Sequence, residues 1–133
     1  MLPNQSYITE FRIYYEDTDA GGIVYYANYL KFAERARTEW LRSIGIEQSI
    51  LQKNEGLAFV VRHVEADFLA PARLDDIIVM ETCLQESGKV RMKIRQTIKR
   101  GKATLVDITV TIACINRNGK PVRLPAAIGK LEN

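Results

Sequence analysis

Between Tyr26 and Ile44 the chain carries its one long helical pattern. Tyr26, Tyr29, Leu30, Ala33, Ala36, Trp40, Leu41 and Ile44 recur every three or four residues, the spacing of one helix face. Lys31, Glu34, Arg35, Thr38, Glu39, Arg42 and Ser43 fall largely on the other side. The spacing predicts a helix over 25–44, stopped by Gly45, which takes a left-handed cap at little cost. Twenty residues at ~1.5 Å each make a rod of roughly 30 Å, long enough to cross a small domain. Ala33 and Ala36, in the middle of the apolar face, allow it to sit close against a sheet.

The rest of the chain supplies that sheet. Tyr7 to Tyr15 alternates apolar and charged positions as a half-buried strand, and Leu57 to Leu69 reads as a long strand closed by Pro71. Three strands follow: Ile77 to Gln85, a second from Val90 to Lys99, and Ala103 to Ile115. The turns between them lie at Gly88 and Gly101, and Asn118-Gly119 marks a further hairpin. A short helical piece is expected within 46–51 and a small helical tail after Pro125. An antiparallel sheet with one apolar face needs a cover, and the 25–44 helix is the only long amphipathic element available. The expected fold is therefore α+β, a curved antiparallel sheet wrapped around one long central helix, forming a single domain over 1–133.

Composition narrows the function. A net charge of +3 is too small to argue for nucleic acid, although it mildly favours phosphate-bearing ligands. No run approaches the ~18 apolar residues of a membrane span, and the first residues lack the basic start and apolar core of a signal peptide, so a cytoplasmic protein is expected. Cys83 and Cys114 sit inside strand alternations, and with His63 the only histidine they make no metal spacing. No metal or cofactor is expected.

Chemistry concentrates in Asp17-Thr18-Asp19-Ala20-Gly21-Gly22, between a strand and the start of the long helix. N–H groups at a helix start lack internal partners and carry partial positive charge, so they can polarise a carbonyl oxygen. A carboxylate beside them is a plausible base or nucleophile for acyl transfer, and the two glycines permit close approach of substrate to backbone. The same residues also read as turn and capping residues, their usual role, and the tripeptide alone does not decide.

The longer stretch Tyr14-Tyr15-Glu16-Asp17-Thr18-Asp19-Ala20-Gly21-Gly22-Ile23-Val24-Tyr25 continues through Ala27-Asn28-Tyr29 to Glu34-Arg35-Ala36-Arg37-Thr38-Glu39. It resembles the signature of hotdog-fold acyl-CoA thioesterases. The similarity is nearest to the branch related to 4-hydroxybenzoyl-CoA thioesterase, whose bacterial members are associated with the Tol-Pal envelope system. Weaker similarity extends through Val60-Val61-Arg62 and Pro71 to Asp76. The resemblance implies a hotdog fold and hydrolysis of an acyl-CoA. Asp19 would be the catalytic carboxylate, as nucleophile or as base toward water, and the backbone N–H of Tyr26 would polarise the thioester carbonyl. Asp17 and Thr18 would shape the loop, and Gly22, Tyr25 and Asn28 would contact substrate. Many members of the branch have histidine where this chain has Tyr26, whereas the 4-hydroxybenzoyl enzyme has tyrosine; a backbone donor survives that change and an imidazole role does not. The resemblance further implies a homodimer or homotetramer with sites at subunit interfaces. A different class of function stays open beside it, a catalytically weak hotdog scaffold binding acyl carrier protein or envelope-biogenesis partners.

Other residues have plainer readings. Arg91, Lys93, Arg95 and Lys99 form a basic stripe that reads either as a contact for coenzyme A phosphates or as a solvated sheet face, with Lys89 in the adjacent turn the chosen phosphate contact. His63 reads as structural or surface, and Arg35 with Glu39 as an i to i+4 ion pair. Trp40 and Tyr29 read as core.

Overall fold

The computed structural model describes residues 6–132. Its framework is a five-stranded sheet in the order β1-β3-β4-β5-β2, made of β1 (Tyr7–Arg12), β2 (Ala58–Phe68), β3 (Ile77–Ser87), β4 (Arg91–Arg100) and β5 (Ala103–Ile115). Every pairing is antiparallel. Breaks of register at Val61/His63 and Leu84/Glu86, and at Leu105 opposite Ile98/Lys99, place bulges in β2, β3 and β5, and bulges bend strands, which suits a sheet that curls round a helix. Helix α1 (Asn28–Ser43) packs on the inner face, α2 (Gln48–Glu55) ends in a left-handed Gly56, and α3 (Ala126–Gly129) runs into a 3-10 turn at Lys130–Glu132.

The core forms between α1 and alternate residues of β3, β4 and β5. Ile78, Met80, Leu84, Met92, Ile94, Ile98, Val106, Ile108 and Val110 point inward onto Tyr29, Phe32, Ala33, Ala36, Trp40 and Leu41. Phe32 belongs to this stripe, stacked at 5.1 Å on Phe11, whereas Tyr26 and Leu30, which the periodicity placed in it, are exposed. Helix α1 also starts later than the pattern suggests. Residues 25–27 form a turn whose carbonyls take the N–H groups of Asn28, Tyr29 and Leu30, and no side chain caps the helix at Ala27. Strand β1 stops at Arg12 rather than Tyr15, because the chain turns at Tyr14, whose N–H donates to the Asp17 carboxylate.

Inside the sandwich lies one buried polar cluster. Gln96, fully buried on β4, donates through Nε2 to the Ala33 carbonyl at 2.9 Å and to Thr82 Oγ1 at 3.1 Å. Its Oε1 accepts from Arg37 Nη1 at 2.9 Å, so the part-buried guanidinium meets a neutral partner, and desolvation lowers its pKa. Helix and sheet are thereby locked together midway along α1. On the helix surface, Glu39 pairs with Arg42 at 2.9 Å and not with Arg35.

Candidate active site

The 13–29 segment is folded by its own short-range bonds. A single 3-10 turn at Tyr15–Asp17 leads into a tight loop closed by an isolated bridge between Thr18 and Val24. Asp17 and Thr18 are spent on the loop. The Asp17 carboxylate takes the Tyr14 N–H at 2.8 Å, its carbonyl takes the Tyr25 N–H and the Asn28 side-chain amide, and Thr18 Oγ1 donates to the Tyr15 carbonyl. Asn28, expected against substrate, therefore ties the helix start back to the loop at 2.9 Å and does not cap its own helix.

Asp19 stands at the tip, exposed. Its backbone is pinned on both sides, N–H to the Ile23 carbonyl and carbonyl from the Gly22 N–H, while Oδ1 accepts the Gly21 N–H at 2.9 Å. The glycines have separate reasons to be there. Gly22 has φ +79°, and a Cβ on Gly21 would lie 3.3 Å from Asp19 Oδ1. The second carboxylate oxygen has no protein donor among the described residues, so the group is held yet still able to act.

Beyond Val24 the backbone turns into α1. Among the described residues the Tyr26 N–H meets no acceptor, as a donor kept for a ligand would be. The Tyr25 and Tyr26 rings lie 5.0 Å apart, and Phe68 at the end of β2 stands edge-on to Tyr26 at 5.8 Å and tilted against Tyr29 at 5.9 Å. Tyr26, Tyr29 and Phe68, with Ile23, Leu69 and Pro71, line an apolar hollow of about 230 Å³. Phe68 carries no motif signal in the sequence; only the end of a strand brings it here.

The structure brings Asp19, Gly22, Tyr25, Tyr26 and Asn28 onto one loop and helix start. Lys89 is elsewhere. It occupies the β3–β4 turn, while β3 begins at Ile77 beside Arg12 and the loop, so the length of an eleven-residue strand, roughly 35 Å, separates the two within one chain. There it borders a hollow of about 360 Å³ together with Arg123. The basic stripe is largely neutralised by acids of neighbouring strands: Lys93 with Glu86 at 3.2 Å, Arg95 with Asp107 at 2.9 Å and Lys99 with Glu81 at 3.1 Å. That outcome favours the solvated-face reading. His63 is exposed beside Glu65 at 3.0 Å. Both thiols are free, and burial pushes their pKa values up, so neither is primed as a thiolate. Among the described residues no helix is long and apolar enough to cross a membrane.

A curled antiparallel sheet around one central helix, with an acidic loop feeding the helix start, defines the hotdog class. The thioesterase superfamily profile matches residues 21–107, and the chain belongs to that superfamily. It is similar to the acyl-CoA thioesterase YbgC of Haemophilus influenzae, 42% identical over 118 residues, which cover 88% of this chain and 87% of the relative. Among solved structures it is similar to a probable thioesterase from Bartonella henselae, with TM-score 0.87, 40% identity, and coverage of 91% of this chain and 100% of that one. A 4-hydroxybenzoyl-CoA thioesterase crystallised with 4-hydroxybenzoyl-CoA has a TM-score of 0.87 at 20% identity, covering 95% of this chain and 97% of the other, a likeness of fold.

Proposed function

We propose that this chain hydrolyses acyl-CoA thioesters, with Asp19 as the catalytic carboxylate and the Tyr26 N–H as the oxyanion donor. One observation carries the reading: a held but half-free carboxylate and an unclaimed backbone N–H lie on one braced loop beside an apolar hollow. Asp19 attacks the thioester carbonyl carbon itself, or takes a proton from the water that does. In the first route a mixed anhydride forms and water later cleaves it. In either, charge develops on the carbonyl oxygen against the Tyr26 N–H, the C–S bond breaks, and the thiolate leaves and is protonated. The products are the free acid and coenzyme A. Gly22 leaves room at the loop, the Tyr25 ring borders the acyl entry, and Asn28 positions the loop through the Asp17 carbonyl.

The protein is a thioester hydrolase of the hotdog fold, acting as one domain over 1–133 and, in our reading, in the cytoplasm. A scaffold without turnover is not favoured, since relatives at 42% identity are named for hydrolysis. Thioesters of acyl carrier protein belong in the same assay as a second carrier.

The reading includes a homodimer, with a homotetramer as its extension. Strand β2 is an edge strand eleven residues long whose Val61, Val64 and Phe68 are 49%, 39% and 47% exposed. Antiparallel pairing of β2 with its copy sets each chain's β3–β4 turn at the end of the sheet where the other chain's Asp19 loop lies. Lys89 of the partner subunit would then stand three to four strand spacings from β2, roughly 15–20 Å away, a distance suited to the phosphates of a bound coenzyme A.

The test is steady-state thiol release from short, long and aromatic acyl-CoAs by wild type and Asp19→Asn side by side. At least one class should turn over, with a loss of ~100-fold or more in the variant. Equal and negligible rates for both proteins on the whole panel would refute the reading.

A further inference from the structure

The 71–76 turn lies outside the loop that carries Asp19, yet loop and helix start both hang on it. Ala72 is fully buried, and both its backbone groups are taken: its N–H donates to the Tyr29 hydroxyl at 2.9 Å, and its carbonyl accepts the Val24 N–H at 2.9 Å. Val24 and Tyr29 flank Tyr26. Ile23 pairs with Arg73 in an isolated bridge, so the turn forms the back wall of the loop.

The turn is itself clamped from β4. Arg100 donates through Nη1 to the Pro71 carbonyl at 3.1 Å and to Asp76 Oδ2 at 2.8 Å. The same Asp76 oxygen takes the Arg73 N–H at 2.8 Å. Between them Asp75 sits at φ 69°, a left-handed conformation that a non-glycine residue keeps only where its surroundings impose it. Here the Asp75 N–H is held by the Ile13 carbonyl and its own carbonyl by Arg12 Nη1.

We propose that Arg100, Asp76 and Tyr29 are positioning residues for the hydrolysis: they clamp the 71–76 turn so that Ala72 fixes Val24 and Tyr29 and aims the Tyr26 N–H at the developing oxyanion. The proposal rests on the thioesterase reading above. A donor moved by a fraction of an ångström loses an interaction that matters in the transition state more than in the ground state, so the cost falls on kcat and not on KM.

The experiment compares Tyr29→Phe, Arg100→Met and the double variant with wild type, measuring kcat and KM on one acyl-CoA and amide hydrogen exchange at Val24. Each single variant should lower kcat about 10-fold with KM within about twofold. The double variant should fall no further than the worse single one, because both act through one turn. Exchange at Val24 should quicken in both singles. Unchanged kcat in Tyr29→Phe, losses that multiply in the double variant, or unaltered exchange at Val24 would each overturn the proposal. Exchange reads the clamp even in a protein that turns nothing over, so failure of the clamp is separable from failure of the thioesterase reading, which wild type against Asp19→Asn decides. Should Arg100→Met not fold, Tyr29→Phe, which removes one hydroxyl, decides by its own kcat and exchange.

Discussion

The 13–29 segment and strand β2 touch where Phe68 meets Tyr26 and Tyr29, yet they are built in contrary ways. In the first, the Asp17 carboxylate and carbonyl, the Asn28 amide, the Asp19 backbone and the Ala72 peptide are each committed to bonds inside the same chain. In the second, no strand lies beside one edge among the described residues and both faces carry exposed residues, with only Phe59 and Ala66 packed against the core. In the proposed mechanism carboxylate and oxyanion donor must be held to a fraction of an ångström before substrate arrives, and bonds within the fold supply that hold. An acyl pocket needs walls, and walls can come from a second copy.

The contrast can be broken from either side. The largest effect is expected at the open edge. Val64→Asp places a carboxylate in the proposed interface, and it should turn a dimer into monomer by sedimentation while activity falls more than ~10-fold and thermal stability barely changes. An unaltered association state would remove β2 from the interface. On the braced side, Gln96→Leu takes from the Arg37 guanidinium its Gln96 acceptor and from Thr82 Oγ1 its Gln96 donor, and should cost about 2–3 kcal/mol of stability in a denaturant titration. Gly22→Ala strains a residue at φ +79°; about 1 kcal/mol and a several-fold drop in kcat are expected, with association unaffected.

The smallest effect is on acid stability. Although partial burial opposes it, the Arg73 N–H and the Arg100 guanidinium hold the Asp76 carboxyl below its ordinary value of 3.8. A depressed carboxylate pKa contributes stability that is fully present above the unfolded value and is lost as pH falls through the folded one. Arg100→Met should therefore lower the thermal midpoint most near neutrality, and the gap should begin to narrow below about pH 4 and shrink further as pH falls through the depressed Asp76 value, leaving only the share that comes from the lost bond to the Pro71 carbonyl. A gap that stays constant down to pH 2 would mean that the pair contributes nothing through its charge.

How far each region was legible in the sequence follows the same division. The strands and α1 are legible because alternation and helical spacing are local properties, and the Asp17–Gly22 loop is legible as a turn because its residues are contiguous. The helix starts three residues later than the spacing predicts because Asn28 bonds back to Asp17, a choice of partner that spacing does not reveal. The spacing puts Tyr26 and Leu30 on the apolar face, yet both are exposed and Phe32 is buried instead, because spacing alone does not say which part of the face the sheet covers. The neutralised basic stripe depended on register, which sets Glu86 opposite Lys93 and Asp107 within reach of Arg95. The Arg100–Asp76 clamp joins residues 24 positions apart and has no local signature.

The most direct test of this division mixes two inactive proteins. Asp19→Asn removes the carboxylate and Lys89→Glu the proposed phosphate contact, each in its own homodimer. If one chain supplies Asp19 and the other Lys89, a mixed dimer contains one intact site, and thiol release should recover to about a quarter of wild type after random exchange of subunits. If both act from the same chain, no intact site forms, and a mixture no more active than its separate components would contradict the account.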